Sequence, residues 1–295
     1  MLRSQIELYI AEQPGDERFL RKKAQTDLRM VSKEIADLKN KLAELEAGRE
    51  SHDGPSAATG VKARRIMAPS LIALVTGANR GIGLEVCHQL AVAGMRVLLG
   101  SRDPAKGEAA ARGLAQAGLD VEPVALDVTD AASIRALQDR LAAVDVLVNN
   151  AGVDYDTDQT ALAADLARVR RILDTNLFGA WAMAQAVAPG MRSRRWGRIV
   201  NVSSGAGSLA TMDRGTPGYS ASKAALNALT RLLAAELAGT GVLVNSVCPG
   251  WVATDMGGRG GRPVMDGARS VVWAATLNDN GPTGGFYRDG RPVAW

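Results

Sequence analysis

Histidine and cysteine are nearly missing from this chain, with two of each among 295 residues. Cys87 and Cys248 stand far apart without metal-ligand spacing. Neither a disulfide framework nor a cysteine metal site is expected, and a reducing, cytoplasmic setting fits. With so few His, a histidine-based metal centre is not expected either. Aromatic residues are only 4%, although apolar residues reach 46%, so the core must be built from Ala, Val, Leu and Ile. No apolar run approaches the roughly 18 residues of a membrane span. The N-terminus also lacks the basic-then-apolar pattern of a secretion signal. The net charge is +4 and the pI about 9.2, but no basic block is interleaved with aromatics. That balance leans toward anionic small ligands and away from nucleic acid.

What is present falls into two unlike parts. Residues 1–47 are highly charged and almost free of Gly. Within them Leu28, Val31, Ile35, Leu38, Leu42 and Leu45 step by 3 and 4, a heptad seam. The seam covers under three heptads, so a lone helix is marginal. A helical extension is expected, forming a coiled coil with another copy or folding back on Ile6, Leu8 and Ile10; the alternative is an amphipathic helix with no stable partner. The segment leading into it resembles the dimerisation helix of MerR-type regulators, without their winged helix. Residues 48–68 read as a flexible linker of Gly, Pro, Ser, Ala and charge. "MAPSLIALVTG" from Met67 reads like a natural protein start.

Residues 69–295 alternate short apolar runs with helical stretches. The runs are 71–76, 96–100, 121–128, 145–150, 197–203 and 242–247. Such runs are typical of strands buried on both faces. The alternation predicts an α/β fold with a doubly wound, Rossmann-type parallel sheet. Ligands of such sheets bind beyond the carboxyl ends of the strands. "TGANRGIG", Thr76 to Gly83, lies at that end of the first strand. Gly77 permits a tight turn, and Gly81 and Gly83 allow the backbone to approach a pyrophosphate at a helix N-terminus. The spacing is G-x-x-x-G-x-G, not the commoner G-x-G-x-x-G; taken alone it also fits a structural turn.

"YSASK" places Tyr219 and Lys223 four residues apart, on one face of a helix. A free Tyr has a pKa of about 10, too high for acid–base work near neutrality. A neighbouring Lys⁺ favours the phenolate. Tyr219 is then suited to give a proton to a carbonyl oxygen or take one from an alcohol. The bland alternative is a helix with a surface Lys and a half-buried Tyr. Asn176 lies inside a helical stretch, where Asn is a poor residue and needs a reason.

These segments together resemble the short-chain dehydrogenases/reductases. "TGANRGIG", "LDV" at 126–128, "NNAG" at 149–152, Asn176 in "TNLFG", "VNVSS" at 200–204, "YSASK" and "CPGWVATDM" at 248–256 occur in that family's order. The resemblance spans about residues 70–295. "CPGWVATDM" and "GPTGGFYRDG" look most like the carbonyl-reductase branch. The insertion that some carbonyl reductases carry before the Tyr is missing, since 14 residues separate Ser204 from Tyr219. The resemblance implies a catalytic set of Asn176, Ser204, Tyr219 and Lys223. Asn176 would hold a water that passes protons to Lys223; a plain buried Asn bonded to backbone is the other reading. Ser204 would orient the carbonyl oxygen, with Ser203 as competitor. The resemblance also implies cofactor contacts. Ile82 belongs with the glycine turn, and Asp127 and Val128 with the adenine edge. Asn149, Ala151 and Gly152 line the adenosine side; Pro249, Gly250, Val252 and Thr254 meet the carboxamide.

The expected activity is hydride transfer between NADP(H) and a small carbonyl or alcohol substrate. NADP(H) is expected because Ser101 stands where an NAD-binding acid would be. Arg102 follows, and Arg80 sits in the glycine turn, both suited to a ribose phosphate. Asp103 is assigned to capping the helix from Pro104. "MGGRGGRPVMDGA" is expected to form a glycine-rich lid over the substrate. A homo-oligomer is expected, formed through the helices carrying Asn176 and the Tyr/Lys pair. Two other readings remain open: a dinucleotide-binding sensor or scaffold without turnover, and a same-fold epimerase or dehydratase.

Overall fold

The computed structural model describes residues 70–295; the heptad seam at 28–45 and the linker at 48–68 lie outside them. Each of the six apolar runs forms a strand: β1 (Ile72–Val75), β2 (Arg96–Ser101), β3 (Val121–Ala125), β4 (Val146–Asn149), β5 (Gly197–Val202) and β6 (Val242–Val247). Two short strands follow, β7 (Phe286–Arg288) and β8 (Arg291–Pro292). The order is β3-β2-β1-β4-β5-β6-β7-β8, with β1 to β7 parallel and β8 antiparallel to β7. The β7–β8 pair was not expected from the sequence pattern. Its strands are too short to show a period, and a two-residue turn joins them, with Asp289 at φ 51° and Gly290 at φ 73°.

The helices are α1 (Gly81–Val92), α2 (Pro104–Gln116), α3 (Ala131–Arg135), α4 (Gln138–Ala142), α5 (Leu166–Leu173), α6 (Ala180–Arg194), α7 (Pro217–Glu236) and α8 (Val264–Ala275). They cover both faces of the sheet, and alternate strand positions sort accordingly. Ala73, Val75, Val97 and Leu99 pack with Val86 and Leu90 of α1 and Val271 of α8. Leu74, Leu98, Leu147 and Ile199 face the other way, against Met183 and Val187 of α6 and Leu226 and Leu229 of α7. This two-sided burial is why the strands read as unbroken apolar runs. Asp103 caps α2 as expected, accepting the Lys106 N–H at 3.2 Å with Pro104 as the first helical residue.

Because β1 to β6 are parallel, their following loops meet at one edge of the sheet. The order reverses direction between β1 and β4, and there the turn after β1 touches the turn after β4. Gly77 has φ 61°, and a Cβ on it would stand 2.8 Å from Ala151 Cα. Only glycine fits that position.

Candidate active site

Four loops and the first turns of α7 build the site. Tyr219 and Lys223 both lie on α7, with the Lys223 ammonium 5.6 Å from the Tyr219 ring centre. Lys223 is buried, and its Nζ donates to the Val202 carbonyl at 2.8 Å. Burial pushes the Lys223 ammonium down to about 8, with the Cys248 thiol acting weakly the other way. Burial also pushes the Tyr219 phenol up to about 12, against a hydrogen bond with Ser204 that lowers it. The sequence reading expected the phenol to be lowered. In the protein alone desolvation outweighs the neighbouring lysine.

Ser204 and Ser203 are told apart by geometry. Ser203 is buried, and its hydroxyl donates to the Lys223 carbonyl at 3.4 Å. Ser204 caps the short 3-10 turn Gly205–Gly207 by accepting the Ala206 N–H at 3.2 Å, and it is the serine that bonds Tyr219.

Asn176 is not in an ordinary helix interior. It lies in a π-helical turn, Asp174–Gly179, inserted between α5 and α6. Such turns free a residue from the regular ladder and are frequent at functional sites. Its Oδ1 accepts the Val153 N–H at 2.9 Å, and its Nδ2 donates to Ser222 Oγ at 3.0 Å. A Cβ on Gly152 would stand 3.6 Å from Asn176 Oδ1 and 3.8 Å from Lys223 Nζ, so these three residues adjoin.

The glycine turn opens onto the same edge. No side chain caps the N-terminus of α1, where Gly81, Ile82 and Gly83 begin the helix. Its leading N–H groups are therefore free for an anion. Thr254, after β6, faces this turn: its methyl carbon lies 3.5 Å from where a Gly81 Cβ would be. Its hydroxyl accepts the Gly257 N–H at 3.0 Å. Arg80 is bonded to Asp255 at 2.6 Å, a pair the sequence did not reveal; both side chains are exposed, so the pair is weak.

The adenosine end is more mixed. Ser101 is buried, with its hydroxyl donating to the Asp103 carbonyl at 2.7 Å, while Arg102 is exposed. Asp127 Oδ1 accepts from the Thr129 N–H and hydroxyl at 2.9 and 2.7 Å. Val128 is buried against Gly179, where a Cβ would approach its Cγ2 to 2.6 Å. Asn149 is buried and donates to the Ala180 carbonyl and Asn201 Oδ1, so its side chain is committed to the interior. Asn150, not picked out from the sequence, is the residue that ties the turns together. Its Nδ2 donates to the Thr76 and Gly77 carbonyls at 2.9 and 3.1 Å.

Beside Tyr219 and Ser204 lies a pocket of about 280 Å³, bordered by Ile82, Pro249, Gly250, Val252 and Thr254. Sequence reasoning missed Tyr155, Cys248 and Arg288 among its walls, whereas Trp251 and Met256 come from segments it had placed at the site. Tyr155 packs edge-on against Tyr219 at 5.0 Å. Nothing in the sequence places Tyr155 or Arg288 near Tyr219, because they come from distant strands. The expected lid is shorter than 256–268, since α8 already begins at Val264. The segment before it is pinned. Ala253 N–H bonds the Arg262 carbonyl, Arg262 N–H bonds the Trp251 carbonyl, and the Arg262 guanidinium grips Asp289.

Among the described residues no group of His, Cys, Asp and Glu is placed to hold a metal ion. No helix among them is long and apolar enough to cross a membrane. Both cysteines are free and buried, and burial pushes the Cys87 thiol far up.

The family model for short chain dehydrogenase matches residues 71–262. Galactitol 2-dehydrogenase (L-tagatose-forming) of Cereibacter sphaeroides is 40% identical over 187 residues, 62% of this chain and 72% of its own. The NADPH-bound carbonyl reductase from chicken fatty liver superposes with a TM-score of 0.68 at 30% identity, covering 77% of this chain and 99% of that one. Gluconate 5-dehydrogenase of Burkholderia cenocepacia J2315, in complex with NADP and tartrate, gives 0.66 at 27% identity, covering 74% and 92%.

Proposed function

From the premise that the chain belongs to the short-chain dehydrogenase family, and is thus an oxidoreductase, we propose that it moves a hydride between NADP(H) and a small carbonyl or alcohol. The observation that carries this reading is the convergence of Tyr219, Ser204, Lys223 and Asn176 beside one pocket. A scaffold that only bound dinucleotide would need none of the four, and an epimerase or dehydratase has no separate observation in its favour.

The residues present fit a nicotinamide dinucleotide. The uncapped start of α1 with its glycines offers N–H donors and a positive helix end to a pyrophosphate. Gly77 to Gly83, Asp127, Ala151 and Gly152 would hold the adenosine and phosphate parts, with Asn149 contributing backbone only. Pro249 to Thr254 would hold the nicotinamide end. When bound, the cofactor supplies the hydride. NADP(H) is favoured over NAD(H) because β2 ends in the neutral Ser101, followed by exposed Arg102. Arg80 could join it by leaving Asp255. Two structural neighbours are NADP complexes.

Ser204 donates to the substrate oxygen and holds it beside the Tyr219 hydroxyl. Tyr219 is protonated at neutral pH and gives its proton to that oxygen during reduction. Lys223, held by the Val202 carbonyl, would resupply that proton, and a water held by Asn176 would in turn pass protons to Lys223. In oxidation the same groups run in reverse.

The test is dinucleotide consumption against a panel of aldehydes, ketones and quinones, with NADPH and NADH compared. NADPH is expected to give the higher kcat/KM, and Arg102→Ala to narrow the ratio about tenfold or more. Tyr219→Phe should still bind NADPH while losing roughly 100- to 10,000-fold in kcat. Turnover near the native level in that variant would remove Tyr219 from the acid–base role.

A further inference from the structure

The pocket beside Tyr219 and Ser204 holds one charged residue. Its lining is otherwise Ile, Tyr, Ser, Gly, Ala, Cys, Pro, Trp, Val, Thr and Met, without a carboxylate; the exception is Arg288, at the end of β7. The geometry points to Arg288 as the anchor for a carboxylate on the substrate, so that the substrate class is short oxo acids and the corresponding hydroxy acids. This rests on the oxidoreductase reading above and names the substrate for that same pocket.

Three features of the guanidinium carry the inference. First, it has no carboxylate partner within 4.0 Å among the described residues; Arg288 appears in none of their ion pairs. Its single hydrogen-bond acceptor among them is Cys248 Sγ, 3.0 Å from Nη2. Sulfur is a weak acceptor, and arginine carries about five N–H donors in a fork that matches a carboxylate. Second, the acid beside it is taken. Asp289 receives two bonds from Arg262, at 3.0 and 2.9 Å, and is held at its own N–H by Ser270. Third, the position is right. Arg288 Nη2 lies 3.0 Å from where a Cβ on Gly205 would stand, and Gly205 is the residue after Ser204. The cation and the Ser204 hydroxyl that would orient the carbonyl therefore line the same pocket.

The β7–β8 hairpin adds a cost that an anion relieves. Its register sets Arg291 directly opposite Arg288. Like charges facing each other across an antiparallel pair are destabilising. Cys248 steadies the arrangement, since its sulfur also accepts the Gly205 and Gly250 N–H groups at 3.1 and 3.4 Å. A carboxylate oxygen entering the pocket would be a stronger acceptor for Arg288 than that sulfur.

The experiment pairs straight-chain 2-, 3- and 4-oxo acids with their methyl esters, using the full chain. One readout is the acid-to-ester ratio of kcat/KM in the wild type, Arg288→Ala and Arg288→Lys. The other is equilibrium binding of the acids to the non-turning Tyr219→Phe protein, with and without Arg288→Ala. The wild type should prefer at least one acid to its ester. Arg288→Ala should cut that ratio and the acid affinity about tenfold to a hundredfold, and Arg288→Lys should restore part of both. An unchanged ratio and unchanged acid binding in Arg288→Ala would overturn the anchor, as would a general preference for esters. If no carbonyl compound is turned over, the oxidoreductase assignment to this pocket fails by itself. The binding arm then decides the anchor: loss of acid affinity in Arg288→Ala sustains it, and unchanged affinity rejects it.

Discussion

Tyr219 and Lys223 share a helical face, yet burial moves their proton affinities in opposite directions. The phenol is pushed up to about 12 and the ammonium down to about 8. For carbonyl reduction this is serviceable, because the donor must be protonated and Tyr219 is so throughout the neutral range. Any lowering of the phenol must come from the positive nicotinamide, since the lysine alone does not overcome desolvation. The group that titrates near working pH is then Lys223. It is protonated below about 8 and loses its proton above. If it resupplies Tyr219, kcat/KM for reduction should be level below that pH and fall as pH rises through it. Lys223→Arg keeps the charge to higher pH and should move the falling limb upward at a reduced rate. A pH–rate profile of both proteins checks this; a wild-type profile flat to about pH 9.5 would exclude Lys223 as the proton source.

Among the elements, α7 matters most, because its first turn carries Tyr219. Thr216 precedes it without a side-chain capping bond. The cap comes instead from the loop after β4. Asp156 is fully buried, and its two oxygens accept the Gly218 and Tyr219 N–H groups at 2.7 and 3.1 Å. A carboxylate there satisfies two orphan donors and complements the helix dipole. It also ties the loop bearing Tyr155 to the helix bearing Tyr219. Asp156→Ala should lower unfolding stability by roughly 1–2 kcal/mol. It should also lower kcat while dinucleotide binding persists, with Asp156→Asn lying between. Denaturant unfolding and steady-state kinetics on the three proteins provide the comparison. Loss of stability without a fall in kcat would leave Asp156 a cap alone.

At the scale of the whole molecule, the helical elements from α5 to α7 leave large apolar side chains open. Phe178 is 53% exposed, Trp181 38% and Leu232 62%, and the small Ala221 and Ala228 of α7 are exposed too. Large exposed aromatics on helices that also offer small residues make a surface suited to close helix packing. A homo-oligomer through this face is the expected assembly. Light scattering should give a mass above one chain at micromolar concentration, and Trp181→Glu with Leu232→Glu should reduce it to the monomer. A monomeric wild type would refute the assembly, and an unchanged mass in the double variant would place the contact elsewhere.

Six strands, the glycine turn, the Asp103 cap and the Tyr219/Lys223 spacing were legible in the sequence, because each depends on neighbours a few residues away. A short apolar run between turn residues, in alternation with helical stretches, reads as a buried strand. A Tyr and a Lys four apart on a helix share a face whatever the rest of the chain does. What tertiary structure alone decided is what meets at the carboxyl edge of the sheet. Tyr155 and Asp156 reach α7 from the loop after β4, and Arg288 reaches Gly205 from β7. Asn176 is freed by a π-helical turn rather than misplaced in a helix. Asn150, not Asn149, braces the glycine turn. The β7–β8 hairpin exists because Ser246 and Val247 of β6 pair with Phe286 and Tyr287. The direction of the Tyr219 shift also belongs here, since desolvation is a property of the assembled interior and cannot be read from which residues are adjacent in the chain.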